Sequence, residues 1–193
     1  MYQSFLRDEE LSAFLFRCDR DLAEEARKGD CPRCQGRLHQ ANYLRKPRGV
    51  SDELLPEAAA VRLSLCCGVV GCRKRLMPAS LRFLGRKIYL GLAVVVAGVL
   101  GERGSDLGTG EICGLIGVSR RTLHRWRRWW RGTFAESRFW QAARGRFRTP
   151  ISAADLPHGL LDRFAGDARA RLIAMLRFLS SITSVSLREN PAF

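Results

Sequence analysis

Two pairs of cysteines give this chain its clearest chemistry, because thiolates at this spacing can hold a metal ion. Cys31 and Cys34 enclose two residues and are followed, two positions on, by a glycine. That arrangement is typical of a metal knuckle, in which backbone N–H groups turn toward the thiolates. The second pair, Cys67 (or Cys66) with Cys72, follows after 32 (or 31) residues. Four thiolates suit tetrahedral Zn²⁺ in a closed structural site, so the sequence predicts structural zinc on these cysteines.

The choice between the two adjacent cysteines depends on strand alternation. Cys67 shares its side of the predicted strand with Leu63 and Leu65, whereas Cys66 shares the other side with Arg62 and Ser64, which favours Cys67 as the ligand. His39 is an alternative ligand, and a redox pair or scattered core cysteines are alternatives to a metal site. A catalytic zinc ion would need an open coordination position and a general base, and the region offers no such base.

A second chemical pattern lies at residues 111–130, which read as two short helices joined by a tight turn. Ile112 and Ile116 give the first helix an apolar face, Gly117 tolerates positive φ, and Ser119 is a good N-cap for the second helix. This is the pattern of a helix-turn-helix, whose second helix lies in the DNA major groove. The alternative is an ordinary helical hairpin with a solvated basic face.

The predicted DNA-binding residues lie on or beside the second helix of this motif. They are Ser119, Arg120, Arg121, His124, Arg125, Arg127, Arg128 and Arg131. Arg125 and Arg128 are expected to reach base edges. Arg120, Arg127 and Arg131 are expected to meet phosphates.

Charge is concentrated in the same part of the chain. The 193 residues carry a formal net charge of +14, and residues 31–150 alone carry +16. Such an excess favours a polyanionic partner. Only four of the 33 basic residues are lysine. Arginine suits bidentate contacts with phosphate and guanine, although a GC-rich genome would also enrich arginine.

The elements that must position these residues predict an α+β fold that is mainly α. We expect an N-terminal amphipathic helix (1–30), a small zinc-binding β module (31–85), a helix-turn-helix domain with a basic extension (86–149), and a C-terminal helical interaction region with a tail (150–193). In the β module, alternation predicts a hairpin of 38–44 with 61–65 and a third stretch over 77–83.

The helices are predicted from apolar spacing. Over 8–28 an apolar stripe leaves Asp19 on the opposite, solvent-facing side. The apolar run 88–101 has 14 residues, whereas a membrane span needs about 20, so a buried helix over 87–100 is expected. Near the C-terminus an apolar stripe from Leu172 to Ile182 predicts a helix that either binds a partner or completes the preceding core.

Aromatic residues are interleaved with arginines after the helix-turn-helix. Such aromatics can stack on bases or insert into a groove. The favoured interpretation is that Trp129, Trp130, Phe139 and Trp140 pack helices together while the arginines touch phosphates.

Together, these motifs carry a family resemblance over residues 31–131. A Cys-x2-Cys…Cys-x4-Cys ribbon, then arginine-rich strand residues, then Gly-Val-Ser-Arg-Arg-Thr-Leu-His-Arg-Trp resembles the DNA-binding portion of bacterial insertion-sequence transposases. It is also similar to the small accessory proteins that such elements encode. The resemblance implies a zinc ribbon and a helix-turn-helix that together recognise element ends or repress the element's promoter.

The expected function is therefore sequence-specific binding of double-stranded DNA without catalysis. No acid after Glu57 ends an apolar strand, so the three carboxylates of a transposase active site are not evident, and no serine or tyrosine recombinase pattern is visible. The alternatives are an adaptor that binds a transposase or other protein through 1–28 or 150–183, a divergent recombinase, and an RNA-binding module. A homodimer is a further option. The acidic N-terminus lacks a secretory signal, so we expect a cytoplasmic, nucleoid-associated protein without a membrane anchor.

Overall fold

The computed structural model describes residues 2–45, 60–84, 89–101 and 107–184. The fold is α+β and mainly α, which confirms the predicted fold class. The helices are α1 (Glu9–Lys28), α2 (Gly91–Leu100), α3 (Thr109–Ile116), α4 (Arg120–Trp129), α5 (Arg138–Ala143), α6 (His158–Leu161) and α7 (Ala168–Ser184). The strands are β1 (Leu38–Gln40), β2 (Tyr43–Leu44), β3 (Val61–Arg62), β4 (Leu65–Cys67), β5 (Arg75–Leu76), β6 (Phe83–Leu84) and β7 (Tyr89–Leu90). Short 3-10 helices span Tyr2–Arg7, Arg144–Arg146 and Ala153–Asp155, and a π-helical turn, Trp130–Phe134, follows α4.

Helix α1 begins and ends where its local sequence directs. The Asp8 carboxylate accepts a hydrogen bond from the Leu11 N–H at 2.8 Å, which caps the N-terminus, and Gly29 ends the helix in an extended conformation. Leu11 and Leu15 are buried, as the apolar stripe predicted.

Asp19 is buried, with only 2% of its surface exposed, and this corrects the expectation that it faces solvent. Its position is four residues beyond Leu15, so it continues the buried stripe of α1. The carboxylate accepts hydrogen bonds from Ser80 Oγ at 2.6 Å, from the Leu81 N–H at 2.6 Å and from Arg82 Nε at 2.9 Å. Asp19 therefore joins α1 to the segment that leads into β6.

The β module is a long hairpin with a third strand beside it. Strand β1 pairs antiparallel with β4, and β2 pairs antiparallel with β3. Between these two ladders, Asn42 Oδ1 accepts a hydrogen bond from the Ser64 N–H at 3.1 Å. Strand β5 adds to β4. It lies at 75–76, earlier than the predicted 77–83, and it stops short of Pro78, which has no N–H to donate to a ladder.

Helix α2 also starts later than predicted. Residues 85–88 lie outside the described ranges, and Tyr89–Leu90 then pairs with β6 instead of forming the first turn of the helix. The Gly91 N–H donates to the Arg82 carbonyl at 2.7 Å, which extends the strand contact to the helix start. Ala93 to Gly98 are all buried, as expected for a core helix. None of the described helices has the length and hydropathy needed to cross a membrane.

Packing divides the buried residues into two clusters. A large apolar core combines residues of α1, α2, the helix-turn-helix and the C-terminal helices. A small one holds Cys31, Leu38, Leu65 and Cys67. In the large core, the apolar stripe of α7 is buried: Leu172, Met175, Leu176, Leu179 and Ile182. The C-terminal helix thus completes the core of the preceding domain, which was one of the two predicted roles.

Removing the Asp19 carboxylate should destabilise the fold. In the Asp19→Ala variant, Arg82 would stay buried without the carboxylate, a change that costs about 3–5 kcal/mol. Denaturant unfolding should show this loss as a lower midpoint. Asp21→Ala on the exposed side of the same helix is the control and should change stability by less than about 0.5 kcal/mol. Equal stability of the two variants would contradict a structural role for Asp19.

Candidate metal centre and nucleic-acid interface

The first cysteine knuckle is a tight loop whose amide groups face sulfur. The Cys31 N–H donates to the Gly36 carbonyl at 2.9 Å, and the Gln35 N–H donates to the Cys31 carbonyl at 2.8 Å. Gln35 lies in the left-handed region at φ 58°. Backbone N–H groups of Arg33 and Cys34 point to the Cys31 sulfur. The loop therefore supplies both the spacing and the donors that a thiolate pair requires.

The second knuckle repeats this construction. The Val69 N–H donates to Cys67 Sγ at 3.4 Å, and the Cys72 and Arg73 N–H groups donate to the Val69 carbonyl at 3.1 and 3.3 Å. Arg73 has φ 45°, so in both knuckles the residue directly after the last cysteine is left-handed. Neither residue is glycine, and such backbone conformations persist only where the surrounding structure fixes them.

Gly36 is required where the knuckles meet. A Cβ atom at this position would collide with the Val69 side chain and lie 3.2 Å from Cys67 Sγ. A larger residue would therefore push the two knuckles apart.

Four sulfur atoms converge between the knuckles. The Sγ atoms of Cys31, Cys34, Cys67 and Cys72 all lie within 4.8 Å of one another, close enough to hold a metal ion. The Cys31–Cys72 and Cys34–Cys67 Sγ distances are 3.8 and 3.4 Å. Thiolates around a tetrahedral ion with bonds of about 2.3 Å are separated by about 3.8 Å, so the cluster has the right size.

The structure places Cys67, and not Cys66, in this cluster. Cys67 is fully buried, whereas the Cys66 thiol lies against the Arg73 carbonyl at 3.6 Å. His39 is exposed on β1, opposite Cys66, and is not in the group. Within the described ranges, these cysteines are the single group of three or more metal-binding side chains that come together.

The electrostatics of the cluster favour a cation. Hydrogen bonds from the Arg33 N–H and its neighbours lower the pKa of Cys31 to about 7. At Cys34 the hydrogen bond from the Gly36 N–H lowers the pKa. The Cys72 and Cys67 thiols outweigh it and raise the pKa of Cys34 to about 12. The Cys31 thiolate thus forms readily, whereas ionisation of Cys34 is suppressed by the neighbouring thiols. All four can ionise together only when a metal ion compensates their charge.

The helix-turn-helix has the local geometry that its sequence predicts. Helix α3 ends at Gly117, which is left-handed at φ 74° and donates its N–H to the Cys113 carbonyl at 2.9 Å. Ser119 Oγ accepts the Thr122 N–H at 3.2 Å and caps α4. Ile112 and Leu123 are buried between α3, α4 and α2, so these helices pack as one unit.

Helix α4 has one buried side and one basic side. Leu123, Trp126 and Trp129 are buried. At 3.6 residues per turn, the side opposite them is formed by exposed basic residues: Arg121, His124 and Arg128. Ser119, Arg120 and Arg131 are exposed near the two ends of the helix. The helix contains no acidic residue, so its outer side is uniformly positive.

Two of the predicted DNA-binding arginines, Arg125 and Arg127, make contacts within the protein. Arg127 is half-buried, and its guanidinium lies 2.5 Å from where a Cβ atom on Gly101 would be, at the carbonyl end of α2. A cation is favourable there because of the helix dipole. Arg125 donates from Nη2 to the Tyr89 hydroxyl oxygen at 2.7 Å. Sequence reasoning missed Tyr89, because it lies 36 positions away and no local pattern links the two residues.

The aromatic residues after α4 pack against one another, as the favoured interpretation predicted. Trp130 and Trp140 are at most 2% exposed, and Phe139 is half-buried against the same core. Phe134 lies between the two tryptophans, with ring centroids at 5.0 and 5.3 Å. These rings fix α5 against α4 and are not available to stack on bases.

Comparison of the chain with protein-family models, with curated proteins and with solved structures gives no significant match. The function is therefore argued from the geometry of these two sites.

Adjacent cysteines provide a matched test of the metal centre. We expect the purified chain to carry one metal ion, Cys67→Ser to lose it, and Cys66→Ser to keep it, because only Cys67 lies in the cluster. Elemental analysis by plasma mass spectrometry measures the content. The melting temperature should fall in Cys67→Ser and not in Cys66→Ser, since metal binding supplies much of the folding free energy of a small module.

Cys34→Ser extends this test, because Cys34 is exposed and its replacement leaves the small core intact. It should also lose the metal. Full metal content in both Cys34→Ser and Cys67→Ser would show that the four sulfurs are not the ligands.

Proposed function

We propose that this protein is a non-catalytic, zinc-stabilised protein that binds double-stranded DNA at specific sequences. In this proposal it serves as an accessory or regulatory factor of a mobile element. The observation that carries the proposal is the outer side of α4, where Arg121, His124 and Arg128 are exposed on a capped and well-packed helix.

Zinc is the metal that the donor set favours. Four thiolates in a compact group suit a closed tetrahedral site, and Zn²⁺ prefers that geometry with sulfur ligands. The amide groups of both knuckles point to sulfur, as they do around structural sites. When bound, the ion would neutralise the thiolates and hold the two knuckles together.

The dimensions of α4 fit the major groove. An α-helix with side chains is about 10–12 Å wide, and the groove is about 12 Å wide. Arg121 and Arg128 are able to make bidentate hydrogen bonds to guanine O6 and N7. Arg120, at the start of α4, is suited to a phosphate, and Arg131 to the phosphates beyond its other end.

The β module adds positive charge on the surface. Residues 31–45 and 60–84 contain no acidic side chain. Their exposed basic residues are Arg33, Arg37, Arg45, Arg73 and Arg75. Such a surface supports affinity for the phosphate backbone. The order of the cysteine module and the helix-turn-helix on one chain is what supports a role in a mobile element.

Selection of bound duplexes from a random DNA pool tests this proposal. Zinc-loaded protein at about 150 mM salt should enrich a sequence motif, because nonspecific phosphate binding is weakened at that salt concentration. A palindromic motif would indicate a dimer. Binding without enrichment, lost as salt rises, would contradict sequence-specific recognition.

Truncating one groove residue should alter specificity at one position. Arg128→Ala is expected to cost about 1–3 kcal/mol of binding free energy on the selected duplex and to relax the preference at a single base pair. Fluorescence anisotropy with single-base variants of the duplex measures both effects.

Arg20→Ala removes an exposed arginine from α1, outside the helix-turn-helix, and is the matched control. It should leave the base preference unchanged. If Arg128→Ala lowers affinity by the same factor on every duplex, Arg128 contacts a phosphate and not a base.

A further inference from the structure

Arg125 is the one α4 arginine whose direction is fixed by a described side-chain hydrogen bond. Its Nη2 donates to the Tyr89 hydroxyl oxygen at 2.7 Å, and its guanidinium carbon lies 5.6 Å from the centroid of the Tyr89 ring. Arg125 as a whole remains exposed. Within the described ranges no carboxylate forms an ion pair with it.

Tyr89 is itself held rigidly. It is 7% exposed and pairs with Leu84 across the β6–β7 ladder. Its ring packs edge-on against Trp126, with centroids 5.5 Å apart and an angle of 84°. Because Tyr89 is buried and its hydroxyl meets the exposed Arg125, the phenol oxygen lies at the border between the core and the basic side.

We propose that Tyr89 is a positioning residue that sets the direction of Arg125 and thereby determines which base the helix reads at one position. This inference rests on the proposed DNA binding. A guanidinium has five N–H donors, so the bond to Tyr89 leaves others for the edge of a guanine.

The physical advantage is preorganisation. A free arginine side chain loses rotamer entropy when it is fixed, and this loss opposes binding. With Tyr89 in place, much of this entropy is already lost when the chain folds, so less is lost when DNA binds. Arg125 also sits at the edge of the exposed side, where an unsupported chain would extend into water away from the groove.

Tyr89→Phe tests the role of the hydroxyl while keeping the ring that packs on Trp126. On the selected duplex we expect affinity to fall roughly three- to tenfold, the effect of one hydrogen bond. The preference for guanine at one base pair should fall with it. Replacing that guanine by 7-deazaguanine, which lacks the N7 acceptor, should weaken the wild type more than the variant. The melting temperature should not change.

Coupling to Arg125 separates positioning from a general structural effect. In an Arg125→Ala background, Tyr89→Phe should have no further effect on affinity or base preference. Tyr2→Phe removes a tyrosine hydroxyl from a different element and is the matched control; it should behave as the wild type does.

Each remaining outcome overturns either the positioning role of Tyr89 or the proposed DNA recognition. If the wild type selects a motif and Tyr89→Phe selects the same motif with equal affinity, the positioning role is wrong and DNA recognition stands. An equal loss on selected and scrambled duplexes would make the hydroxyl a backbone contact. If the wild type selects no motif, the proposed function fails and the role of Tyr89 in base readout fails with it.

Discussion

The buried carboxylate of Asp19 determines how α1 packs against the segment between the β module and the helical core. Asp19 accepts hydrogen bonds from Ser80, Leu81 and Arg82, and Arg82 in turn donates to the Val61 carbonyl at 2.9 Å. Burying an ion pair rarely adds net stability, but leaving one partner behind is costly. The pair therefore enforces one arrangement of α1, β3 and the segment that leads into β6.

The second constraint is the large apolar core, which decides which side chains of α4 remain outside. Trp126 and Trp129 are buried in this core, and the rings of Trp130, Phe134 and Trp140 pack beside them. Because the core uses the aromatic residues, the outer side of α4 retains only basic and small polar groups. The apolar stripes of α1 and α7 pack into the same core.

Local patterns in the sequence predicted the local structures well. The Gly117 turn and the Ser119 cap each depend on neighbouring residues, and each formed where expected. Contacts between distant segments were not predictable in this way. Asp19 is charged and was expected to face solvent, although its spacing places it on the buried stripe of α1. The start of α2 is displaced because Tyr89–Leu90 pairs with β6. Tyr89 reaches Arg125 only in the folded chain. The candidate cysteines were evident from spacing, while the preference for Cys67 rested on strand alternation alone.

The central claim is that α4 enters the major groove. Methylation of guanine N7 places a methyl group in that groove, so interference mapping on the selected duplex tests the claim directly. The account predicts that methylation of a few clustered guanines blocks binding, and that ethylation of phosphates on both sides of the cluster also interferes. Interference from phosphate ethylation alone, with every methylated guanine tolerated, would contradict it.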